Sequence, residues 1–171
     1  MQPTFDQVHD ALRQALRAVY ERDAHLFTSH VGERSVVGKL AGRMNPIVES
    51  WPGRWTVETE YNRMSPDEHD ETVYKSLVDV LGEVIRPAYP DLIVHVPGVD
   101  GWEGGNLLVV EAKRTPNAVN RLEDHAKLVA WSRQLLYTYA VRLELQPHRP
   151  SWAWVGADSH ERAPIAADPV W

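Results

Sequence analysis

The chain has 171 residues, 43% hydrophobic and 25% charged, which suits one soluble globular domain with a real core. It contains no cysteine, which excludes disulfides and thiolate metal sites, and no apolar run approaches the roughly 20 residues that span a bilayer. The formal net charge of −6 argues against gripping nucleic acid by bulk electrostatics, yet leaves room for a nuclease whose bound cations offset local acid.

In chain order, residues 4–22 repeat apolar side chains (Phe5, Val8, Leu12, Leu16, Val19) at three- and four-residue steps, the pattern of an amphipathic helix. Thr4 and Gln7 supply a capping box. The helix is a packing element, with dimerisation as its other use. The polar N-terminus does not read as a secretory signal, so a cytoplasmic protein is the simplest expectation. A second helix is predicted from about His30 to Met44, with Val36, Val37, Leu40 and Ala41 inward and Asn45-Pro46 ending it. Glu33 lies in its first turn, where an acid is favourable at a helix N-terminus.

Residues 55–61 alternate as a first strand, with Trp55, Val57 and Tyr61 on one face and Glu58 and Glu60 on the other. Residues 64–87 open acidic and then suggest a short helix through Val73, Leu77, Val80 and Leu81. After Lys113, Arg114-Thr115-Pro116-Asn117 breaks the pattern. Asn120 then caps a helix of about 121–135, with Leu122, Ala126, Val129 and Ala130 inward. Asp124 and Lys127 read most simply as a surface ion pair, with a phosphate contact as the other use of Lys127. Strands are predicted at 137–145 and, as an edge, at 151–155. The reading is a single domain over 1–156, in which 1–29 is an N-terminal helical extension and 64–87 an insertion, followed by a tail over 157–171.

The most informative stretch is the pair of apolar runs at 89–96 and 106–113, separated by a segment rich in glycine. These are two buried strands of an antiparallel hairpin. Pairing Val96 with Asn106 sets Asp91 opposite Glu111, and opposed residues of one face have Cβ atoms about 4.5–5.5 Å apart. That is close enough to share a divalent cation. Lys113, two residues beyond Glu111, points to the same face.

Pro90-Asp91, a gap and then Glu111-Ala112-Lys113 resembles the PD-(D/E)XK nuclease superfamily, over roughly residues 30–156. The resemblance implies a restriction-endonuclease-like α/β fold: a mixed central sheet flanked by helices, here behind an extra N-terminal helix. It implies Mg²⁺ or Mn²⁺ held by Asp91 and Glu111, with Lys113 beside the attacking water. It also implies that a glutamate on the first core helix, here Glu33, can point into the site. The Ala112 carbonyl and Glu60 are further candidate ligands, and Arg114 a candidate phosphate contact. The chemistry is coherent, because a hard oxygen-bound cation both activates water and offsets charge on phosphate oxygens.

The expected activity is hydrolysis of phosphodiester bonds, with DNA as the favoured substrate and a homodimer or protein partner allowed. The alternative is a non-catalytic binding or assembly subunit of the same fold. Histidine spacing offers no zinc motif, and neither a Gly-x-Ser-x-Gly elbow nor a phosphate-binding P-loop occurs.

Overall fold

A computed structural model of the chain describes residues 1–29, 31–60, 77–78, 84–85 and 89–156. The elements are α1 (Phe5–Arg22), α2 (His25–Thr28), α3 (Glu33–Glu49), β1 (Thr56–Glu58), β2 (Leu77–Val78), β3 (Val84–Ile85), β4 (Leu92–His95), β5 (Asn106–Lys113), α4 (Ala118–Gln134), β6 (Tyr139–Leu145) and β7 (Pro150–Val155). Five strands form one sheet in the order β1-β4-β5-β6-β7. Only β5 and β6 run parallel, joined through α4 as a crossover; the other neighbours are antiparallel. This is the mixed α/β sheet with flanking helices that the sequence predicts, and α1 is the extra N-terminal helix. No helix among the described residues is long and apolar enough to cross a membrane.

Alternation along the strands splits the core in two. Leu92, Val94, Leu108, Val110, Val141 and Leu143 face α1 and α3. Ile93, Val109 and Ala140 face Leu128 and Trp131 of α4. The capping box of α1 is present, with Thr4 and Gln7 exchanging backbone bonds.

Several boundaries differ from the sequence expectation. Helix α3 starts at Glu33 and continues through Pro46. Proline removes one backbone donor, but Met44 and Val48 are both fully buried, and their packing outweighs that loss. Asn45 does not stop the helix either; its Oδ1 accepts from Val57 N at 3.1 Å and ties α3 to β1. The cap of α4 is Asn117, not Asn120: the Asn117 carboxamide oxygen accepts from Asn120 N at 2.8 Å. In the 64–87 region, Leu77–Val78 and Val84–Ile85 pair as a small antiparallel sheet where a helix was expected. β-branched residues on either side of Leu81-Gly82 favour strand over helix there. The other positions of that helix, together with Tyr61 and the tail at 157–171, lie outside the described residues.

The hairpin register has a particular origin. Leu92 lies opposite Val110 and Ile93 opposite Val109, so continuing the ladder sets Asp91 against Glu111. At the loop end, however, His95 rather than Val96 pairs with Asn106, and an irregularity between Val94 and His95 absorbs one residue. The loop closes through Gly105, where a Cβ would lie 2.2 Å from Val99 O. Gly101 is equally constrained, because a Cβ there would meet Leu135 O at 2.3 Å. That contact seats the C-terminus of α4 against the hairpin.

Candidate active site

The site forms where β4 begins and β5 ends, beneath the N-terminal half of α4. Asp91 precedes the first residue of β4, and its Oδ2 accepts a 2.7 Å hydrogen bond from Ala112 N. A side chain thus completes the ladder where the backbone pairing stops. Lys113 Nζ donates to Glu33 Oε1 at 3.1 Å and to Ala112 O at 2.9 Å, and lies 3.8 Å from Asp91 Oδ2. Glu33 Oε2 accepts from Arg114 N at 3.0 Å. The first turn of α3 is therefore pinned to the end of β5 by one carboxylate, and the structure brings Asp91, Ala112, Lys113 and Glu33 together.

Glu111 is only 2% exposed and points towards α4. Its Oε2 lies 3.7 Å from Lys127 Nζ, while its Oε1 is buried with no hydrogen-bond partner among the described residues. Lys127 Nζ is also 3.5 Å from Asp124 Oδ1. Asp124 is itself 2% exposed, and its Oδ2 likewise lacks a hydrogen-bond partner. The expected surface ion pair of Asp124 and Lys127 thus joins a buried acid to a partly exposed lysine, beside Glu111.

The expected inward face of α4 holds at its C-terminal end, where Ala130 is buried and Val129 packs beside it, but not at its start, where Leu122 is 73% exposed and Ala126 is exposed too. The reason lies in the sheet. Beyond Val109 the α4 face carries Glu111, Lys113, Arg142 and Glu144, neighbours across β5 and β6. A helix packed on polar groups presents polar groups in return. Arg121 forks onto Glu144 at 2.6 and 3.1 Å and holds that carboxyl below its usual range. The one available signal was the three-residue spacing of Arg121, Asp124 and Lys127.

The side chains of two further candidates are engaged elsewhere. Glu60 sits at φ +53° just past β1, and its carboxylate pairs with Arg34 at 2.5 Å, outside the Asp91–Lys113 cluster. The Arg114 guanidinium is held by the protein's own groups. It donates to the carbonyls of Val31 and Phe27 and lies 5.9 Å over the Phe27 ring. Arg114→Ala is expected to orphan both carbonyls and cost about 2–3 kcal/mol. Chemical denaturation checks this, and a loss within 0.5 kcal/mol of zero would contradict it.

The electrostatics follow from burial. Burial first, and then Asp91, push the Glu111 carboxyl up to about 8, against the pull of Lys127. Burial also raises Asp91, although Ala112 N–H and Lys113 oppose it. Lys113 is held above the usual lysine range, because Asp91 and Glu33 outweigh the burial that opposes its charge.

The consequence for stability has a definite sign. An unfolded glutamate ionises near pH 4.5, whereas folded Glu111 keeps its proton to about pH 8. Metal-free protein should lose stability as pH rises through that window, by roughly 1.4 kcal/mol per pH unit at most. Melting in EDTA at pH 5, 7 and 9 tests this, with the lowest Tm expected at pH 9. A Glu111→Gln variant should flatten the profile.

The donor set suits a hard divalent ion. Asp91 and Glu111 offer carboxylate oxygens, one of them buried and without a partner. Among the described residues no three His, Cys, Asp or Glu side chains are gathered to hold a metal by themselves. A cation here would complete its shell with water and substrate oxygen, as Mg²⁺ commonly does.

No family model and no curated protein matches the chain. Among solved structures it is similar to P. aeruginosa ATCC27853 NucC in its cAAA-bound form, with a TM-score of 0.38 and 13% identity over 78% of this chain and 52% of that one. It is also similar to E. coli MS115-1 NucC, cAAA-bound, with a TM-score of 0.37 and 12% identity over 78% and 52%. The chain spans about half the length of these structures.

Proposed function

We propose that the protein is a divalent-metal-dependent nuclease that hydrolyses phosphodiester bonds, with DNA as the favoured substrate. The observation behind this reading is the meeting of Asp91 and Lys113 at one end of the β4–β5 hairpin, with the buried Glu111 carboxyl near enough to feel the charge of Asp91 and keeping one oxygen without a donor among the described residues. A bound Mg²⁺ or Mn²⁺ would lower the pKa of a coordinated water and offset charge on the phosphate. Asp91 and Glu111 would hold it. Lys113, fixed by Glu33 and the Ala112 carbonyl, would keep a positive charge beside the attacking water and favour its hydroxide form. Glu33 acts through Lys113 by fixing its ammonium.

Purified protein incubated with mixed DNA and RNA should degrade nucleic acid with Mg²⁺ and not with EDTA. Absence of metal-dependent cleavage on every substrate would shift the assignment to a non-catalytic subunit of the same fold.

A further inference from the structure

We propose that Lys127 is the internal counter-ion of the site: its ammonium sits between Glu111 and Asp124, and a divalent cation binding at Glu111 displaces it. This rests on the metal-dependent reading above and assigns a task to a helix that reading does not use.

Two carboxylates, each 2% exposed, face the same ammonium, and each keeps one buried oxygen without a hydrogen-bond partner among the described residues. Buried acids of this kind either keep a proton, as Glu111 does below about pH 8, or need charge compensation once ionised. Lys127 supplies it from 3.7 Å and 3.5 Å, distances longer than a well-made charged hydrogen bond. It is therefore held by its charge and loosely by geometry. Its side chain is 33% exposed, so the ammonium has a path to solvent along its own flexible stem. Lys113 is differently placed, tied to Glu33 and to the Ala112 carbonyl at hydrogen-bond distance. Arg121 is taken by Glu144. Of these three cations, Lys127 is the one free to leave.

A divalent cation on Glu111 would face the Lys127 ammonium at close range, and like charges in a partly desolvated site repel strongly. The incoming cation and the ammonium thus compete for the same oxygens. The protein's own side chain lowers its affinity for metal and keeps the empty site charge-balanced.

The test is calorimetric titration of the full chain with Mn²⁺, without nucleic acid, for wild type, Lys127→Met and Lys127→Arg. The methionine variant should bind Mn²⁺ about tenfold more tightly or better, and the arginine variant like wild type. Without metal at pH 8 the methionine variant should melt below wild type, with the gap closing as Mn²⁺ is added. Lys127→Gln should shift affinity in the same direction if the methionine variant fails to fold. Equal Mn²⁺ affinity in wild type and the neutral variants would overturn the proposal and leave the nuclease reading intact. Wild type that binds no Mn²⁺ would overturn both. Tighter binding by the neutral variants, with no cleavage by wild type, would support displacement and overturn only the nuclease assignment.

Discussion

Glu111→Gln and Asp91→Asn should each abolish Mg²⁺ and Mn²⁺ binding while leaving the fold intact. Both substitutions keep shape and remove a charged ligand. Asparagine can still accept from Ala112 N, the 2.7 Å bond that closes the end of the sheet. Alanine at Asp91 would lose that bond and confuse a ligand effect with a structural one. Glutamine at 111 should also raise the melting temperature in EDTA at pH 9, because the wild-type carboxylate is ionised there at a cost set by its burial. Calorimetry with either cation checks the first expectation and thermal melting the second. Wild-type affinity in both variants would remove these carboxylates from the metal site.

Lys113→Ala should lose roughly 10²–10³-fold in cleavage rate, the scale for removing one preorganised electrostatic contact in a transition state. Metal binding should survive, since both carboxylates remain. Glu33 should also keep its place, because Arg114 N still donates to it at 3.0 Å. Single-turnover cleavage at saturating Mg²⁺ separates the effects: a lower rate at unchanged metal affinity assigns Lys113 to the chemistry, and an unchanged rate removes it.

How far the sequence reached depended on what each segment faces. The hairpin was legible because β4 and β5 are buried on both faces and read as continuous apolar runs between turn residues. Its register at Asp91 was reached from the wrong anchor: the loop-end pair is His95 with Asn106, and the irregularity beside Val94 restores the alignment. A bulge leaves no mark in apolar alternation when every residue of both strands is buried or nearly so. The first half of helix α4 was misread because hydrophobic periodicity assumes an apolar floor, and half of its floor is charged. Asp124 and Lys127 were visible as a spacing, but the burial of Asp124 was not. The first strand was drawn too long because alternation alone cannot register the positive φ at Glu60 that turns the chain.

The bond from Ala112 N to Asp91 Oδ2 gives the site a built-in spectroscopic reporter. The amide belongs to a buried strand residue, and its acceptor is a carboxylate of the proposed metal site. Its proton resonance should therefore respond to whatever alters the charge on Asp91, from protonation to a bound cation. Its exchange with solvent should slow when that end of the sheet is locked. One backbone signal can then follow occupancy of the site in solution without a substrate, a label or a mutation.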